Sequence, residues 1–116
     1  MSKIKIVIAG CSGRMGKALL EGVLQSDDLA LHAALEHEGN ASIGKDAGEF
    51  VGKACGVKIS ADVAAALKGA DVLIDVTRPE GTLHHLEVCQ QLGVNIVIGT
   101  TGFNAQQKAQ LGAAAQ

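Results

Sequence analysis

The chain opens on an apolar, β-branched run, Ile4 to Ala9, that breaks into glycines at positions 10, 13 and 16 just as a helical pattern begins. Glycine loses more conformational freedom on folding than any other residue, so such a cluster belongs where a side chain would obstruct a tight turn or a bound group. Met15, Ala18, Leu19 and Val23 recur at helical spacing across Arg14 to Gln25, and Leu29 to Leu35 turns strand-like again. A strand, a glycine turn, a helix and a second strand are thus written into the first 35 residues.

The alternation continues. Beyond a looser, glycine-rich stretch from Gly39 to Gly56, Val57 to Ile59 read as a short strand. Ser60 reads as the cap of a helix over Ala61 to Lys68, and Asp71 to Thr77 as the next strand. Pro79 suits the first turn of a helix running to Leu92, with Gly93 as its stop. Val94 to Gly99 supplies a fifth strand, and Asn104 with Gln107 forms a capping box for a last helix from Ala105 onward. Strands that alternate with helices form right-handed crossovers and a parallel sheet. The runs at 4–9, 72–76 and 94–98 are almost wholly apolar, which predicts helices over both faces. The expected fold is α/β: a doubly wound parallel sheet of the Rossmann type, one domain over residues 1–116, in the order 3-2-1-4-5-6 and lacking its last strand or strands.

Composition removes several classes of function. With 116 residues the chain suits one core, and 47% apolar with 19% charged residues of mixed sign excludes disorder. A net charge of −2 and the absence of Trp and Tyr argue against a nucleic-acid partner. No apolar run approaches the roughly 20 residues of a membrane span, and the N-terminus does not read as a signal peptide, so no membrane partner and a cytoplasmic location are expected. Cys11, Cys55 and Cys89 are spaced for neither a disulfide framework nor a zinc site, and no metal ligands are expected. Cys11 reads as the small residue that a tight loop needs.

The glycine turn has the context of a dinucleotide-binding loop. Backbone glycines let a pyrophosphate approach, and the N–H groups that open the helix point at its oxygens. The spacing is G-x-x-G-x-x-G rather than the commoner G-x-G-x-x-G. Glu36 lies twenty residues beyond Gly16, at the end of the second strand, where a carboxylate accepts from ribose hydroxyls. In a doubly wound sheet the ligand lies across the C-terminal strand ends, so Thr77, Arg78, Gly99, Thr100 and Thr101 are expected to line the same cleft.

Together "AGCSGRMG", "ALEHEG", "DVTRPEGTLHHL" and "VIGTTGF" resemble the N-terminal half of the dihydrodipicolinate reductase (4-hydroxy-tetrahydrodipicolinate reductase) family of lysine and diaminopimelate biosynthesis. The resemblance implies that Gly10, Cys11, Ser12, Gly13, Arg14 and Met15 hold the pyrophosphate of NADH or NADPH, Glu36 the adenosine ribose, and Gly99 to Thr101 the nicotinamide side. His37 occupies a position where many members carry an arginine for the 2′-phosphate, so NADH is the expected preference. Hydride would pass to 4-hydroxy-tetrahydrodipicolinate, giving tetrahydrodipicolinate. The family's second half would supply the substrate-holding groups and the contacts of a homo-oligomer. No catalytic residue is assigned in this chain, which alone is expected to be inactive. His84 and His85 read as solvated helix residues. Two alternatives stand beside this: a stand-alone nucleotide-binding or sensing module, and another Rossmann oxidoreductase such as an amino-acid dehydrogenase. The second fits the glycine turn but not "TRPEGT".

Overall fold

A computed structural model describes residues 3–52, 54–77 and 79–99, with only the backbone of Pro79 and Glu80. Nine elements follow in order: β1 (Ile4–Ala9), α1 (Arg14–Gln25), β2 (Leu29–Leu35), a 3-10 helix (Ala47–Val51), β3 (Ile59–Ser60), α2 (Val63–Leu67), β4 (Val72–Asp75), α3 (Pro79–Leu92) and β5 (Asn95–Ile98). The strands form one sheet in the order β3-β2-β1-β4-β5, and every named pair is parallel.

The apolar run of β1 takes the central place because both its faces are covered. Ile6 and Ile8 join Leu20, Val23, Ala34, Ala47 and Ile59 on the side of α1 and the 3-10 helix. Val7 and Ala9 join Leu35, Leu67, Leu73, Cys89 and Val94 on the side of α2 and α3. Alternation along one strand thus feeds two cores, each buried Ile or Leu contributing roughly 1.5–3 kcal/mol. Helix α1 meets its core through Gly16, Leu20 and Val23, a single stripe at helical spacing.

Several boundaries differ from those expected. Helix α2 is capped by Asp62, whose carboxylate accepts from the Ala65 N–H at 3.1 Å, while Ser60 ends β3 and its hydroxyl accepts from the Asp62 N–H. Two polar residues compete for one cap, and the later one takes it. β3 is correspondingly displaced to Ile59–Ser60, and β4 and β5 are each shorter than the apolar runs that encode them. β5 also departs from the expectation of cover on both faces, since Val97 is 57% exposed. The 3-10 helix falls inside the stretch read as loose. The expected helix from Ala105 lies outside the described residues.

Candidate functional site

The carboxyl ends of β1, β2 and β4 open into a cleft of about 700 Å³, within the ordinary size of a small-molecule site. Gly10, where β1 ends, has φ +85°, and a Cβ there would lie 2.9 Å from the Val76 carbonyl oxygen. Only glycine turns the chain there. Gly16 is tighter still, for its Cβ would stand 2.1 Å from the Gly10 carbonyl oxygen. Bare backbone at both positions lets α1 begin directly over the strand end.

Helix α1 starts without help from its own residues. Gly13, its N-cap, offers no side chain, and the first turn holds no acidic residue. The first helical bond runs from the Lys17 N–H to the Gly13 carbonyl, so the N–H groups of Arg14, Met15 and Gly16 have no partner among the described residues. Asp46 and Asp62, by contrast, cap the 3-10 helix and α2. A helix start that exposes N–H groups is suited to an anion.

Glu36 sits on the rim of this turn, its side chain 8% exposed. One oxygen accepts from the Ser12 N–H at 3.0 Å and from the Ser12 hydroxyl; the other accepts from the His37 N–H at 3.1 Å. Burial pushes the carboxyl's pKa up, but the hydrogen bonds from Ser12 and His37 outweigh it and hold Glu36 below the usual range. It is an ionised acceptor at neutral pH. The His37 ring lies 3.3 Å from it and is 76% exposed.

Of the residues expected at the site, Gly10, Ser12, Gly13, Glu36, His37 and Thr77 line this one cleft. Arg14 and Met15 are exposed on the first turn of α1, and Met15 lies beside Gly99, whose Cβ would come 3.7 Å from its sulfur. Cys11 is fully buried under the loop, and burial followed by the nearby Glu36 charge pushes its thiol up to about 12, so it contributes backbone and volume but no thiolate. Thr100, Thr101 and Arg78 lie outside the described residues.

Two residues have roles that their sequence context does not announce, one lining the cleft and one buried behind it. Asp75 is fully buried at the end of β4, and His85, expected to be solvated, is only 8% exposed. Asp75 Oδ2 lies 2.6 Å from His85 Nδ1, while Oδ1 accepts from the Thr77 N–H and hydroxyl at 2.9 and 2.6 Å. Burial raises the carboxyl, but the bonds from His85 and Thr77 prevail and keep it low. A buried carboxylate must find partners, and α3 supplies one by turning His85 inward on the stripe it shares with buried Thr82 and Cys89. His84, on the next face, is exposed as expected. Among the described residues there is no cluster of His, Cys, Asp and Glu that could hold a metal ion, and no helix long and apolar enough to cross a membrane.

The sequence and the fold have relatives among known proteins. The model of the family described as dihydrodipicolinate reductase, N-terminus, matches residues 4–116. The 4-hydroxy-tetrahydrodipicolinate reductase of Nitrosomonas europaea is 50% identical over 116 residues, covering 100% of this chain and 43% of that protein. The enzyme of the same name from Cupriavidus metallidurans is 55% identical over 113 residues, covering 97% of this chain and again 43% of its relative. This chain therefore spans less than half the length of these relatives. Among solved structures, dipicolinate-bound dihydrodipicolinate reductase from Paenisporosarcina sp. TG-14 superposes with a TM-score of 0.74 at 26% identity, over 98% of this chain and 43% of that one. Aspartate semialdehyde dehydrogenase II from Vibrio cholerae, at a TM-score of 0.64 and 19% identity, shares the fold alone.

Proposed function

Because the chain belongs to the dihydrodipicolinate reductase family, we propose that residues 1–116 are the cofactor-binding part of a reductase that takes hydride from NADH or NADPH. The hydride passes to 4-hydroxy-tetrahydrodipicolinate, giving tetrahydrodipicolinate. The observation that carries this reading is the pairing of ionised Glu36 with an uncapped α1 start across one glycine turn. These residues fit a dinucleotide: the open N–H groups of Arg14, Met15 and Gly16 suit the pyrophosphate, Glu36 suits the ribose hydroxyls, Thr77 at the end of β4 lines the same cleft, and the segment Gly99 to Thr101 suits the nicotinamide half. When bound, the nicotinamide supplies the hydride, and the chain binds and orients it. A small-molecule substrate, a homo-oligomer assembled through the rest of the protein and a cytoplasmic location belong to the same reading.

The chain is expected to bind NADH yet turn nothing over, since no residue in it is assigned to hold or protonate substrate. Calorimetric titration with NADH, followed by an oxidation assay with substrate, tests both parts. Turnover by the 116-residue chain alone would sink the division of labour.

NADH is the preferred cofactor in this reading. Ionised Glu36 gains from free ribose hydroxyls and repels a 2′-phosphate. His37 and Arg14 stand nearby to offset that, but an imidazole is a weaker phosphate ligand than a guanidinium, which is always charged and binds two oxygens at once. We expect the ratio of NADPH to NADH dissociation constants to exceed one at pH 7.5, and His37→Arg to lower it by roughly tenfold, the effect of about 1.4 kcal/mol. A ratio unmoved by His37→Arg would show that other groups read the 2′-position.

A further inference from the structure

His85 lines the cleft with buried Asp75 behind it, a polar pair that the phosphate and ribose contacts leave unused. Asp75 divides its two oxygens between neighbours: Oδ1 serves the Thr77 N–H and hydroxyl, and Oδ2 faces His85 Nδ1 at 2.6 Å. A carboxylate so placed accepts the Nδ1 proton, and the neutral imidazole then carries its lone pair on Nε2. Nε2 is not sealed in protein. No buried side-chain nitrogen or oxygen among the described residues lacks a partner, and the hydrogen bond of the His85 ring is the one at Nδ1. An unpartnered Nε2 on a ring that lines the cleft therefore opens onto the cleft.

The surroundings of that nitrogen suit a flat base. Helices α2 and α3 pack against each other on one face of the sheet, and Ala61, Val63, Gly81 and His84 at their starts line the same cleft as Glu36. A ribose held by Glu36 at the end of β2 would set its base against this wall, and the other half of a dinucleotide would run toward β5.

We propose that His85 reads the adenine of the bound dinucleotide, its Nε2 accepting a hydrogen bond from the exocyclic 6-amino group, and that Asp75 is a positioning residue that fixes the required tautomer. The inference rests on the dinucleotide reading above. It makes His85 a determinant of base specificity in a protein whose phosphate and ribose contacts are indifferent to the base.

The test compares NADH with its reduced hypoxanthine analogue, in which a 6-oxo acceptor replaces the 6-amino donor. Against a lone pair on Nε2 the analogue sets acceptor facing acceptor, so at pH 8 NADH is expected to bind roughly tenfold more tightly to the unmodified chain. Asp75→Asn keeps an oxygen for Thr77 but turns an amide N–H toward His85 Nδ1, which moves the ring proton to Nε2 and makes it a donor. The preference is then expected to vanish or reverse, a change that merely loosening the site would not produce. His85→Phe removes the acceptor and is expected to bring the ratio near one. A ratio near one in the unmodified chain overturns the inference, and that measurement needs no variant to fold. An undiminished ratio in Asp75→Asn or His85→Phe also overturns it. If NADH itself does not bind, the dinucleotide reading has failed as well, and the two failures are distinguished.

Discussion

Two glycines of the turn do different work, and alanine separates them. At Gly16 a Cβ would meet the Gly10 carbonyl oxygen at 2.1 Å and the Cys11 Cα at 2.7 Å, both backbone atoms that no rotamer change can move. Gly16→Ala must push α1 off β1, and we expect a loss of roughly 2–4 kcal/mol, read as a lowered urea midpoint. Gly13 has φ −77°, an ordinary value for any residue, and its Cβ would have the Gly10 oxygen at 3.5 Å as nearest neighbour. The fold itself thus has no steric need for glycine there, although the residue lines the cleft. Gly13→Ala is expected to shift stability by less than about 0.5 kcal/mol, because the weaker N-cap is offset by a less flexible unfolded chain. NADH affinity is expected to fall at least tenfold, the effect of about 1.4 kcal/mol from a methyl group set against the pyrophosphate. Equal damage to stability by both substitutions would contradict this assignment.

At the scale of elements, the stretch between β2 and β3 is organised by one side chain. Asp46 caps the 3-10 helix through the Gly48 N–H at 2.7 Å and also accepts from the Cys55 N–H at 3.0 Å, the Cys55 thiol and the Gly56 N–H at 2.8 Å. These bonds close the loop and seat Ala47 in the core beneath α1. Asp46→Asn retains one oxygen but turns an amide toward a donor that needs an acceptor. Hydrogen exchange is expected to quicken for residues 46–57 while the amides of β1 keep their protection. This knot also marks the limit of what was legible beforehand. β1, α1 and β2 carry long apolar periods and α3 is bracketed by Pro79 and Gly93, and the ends of all four lie where those signals place them. The 3-10 helix is held by donors nine and ten residues away, which local propensity does not register. Glu36 was legible because a strand-end acid at a fixed distance from the glycines has a known use. The inward role of His85 was not, although a carboxylate inside "VLID" required a partner and Thr82, His85 and Cys89 share one helical stripe.

At the scale of the whole molecule, three carboxylates fasten different parts to one another, and we expect them to shape how stability responds to acid. Glu36 ties the end of β2 to the glycine turn, Asp46 closes the loop before β3, and Asp75 joins β4 to α3. Glu36 and Asp75 are held below their ordinary values of 4.5 and 3.8, and Asp46 is lowered from 3.8 to about 2 by the N–H groups of Cys55, Gly48 and Gly56. Since each folded pKa lies below the unfolded one, the unfolded chain binds more protons in the interval between them, and stability rises with pH there. The contribution is complete above the unfolded values and is lost as pH falls through the folded ones. We therefore expect a urea midpoint that is level between pH 7 and pH 5.5, as far as these groups are concerned, and that begins to fall near the unfolded value of 4.5 and continues toward about 2. Unfolding in this interval should take up protons, because the unfolded carboxyls bind them where the folded ones do not. Asp46→Asn is expected to lower the midpoint at pH 7 and to make the acid limb shallower, since one of those groups no longer titrates. An acid limb with the same slope in Asp46→Asn as in the unmodified chain would show that its carboxylate is not one of the fastenings that acid releases.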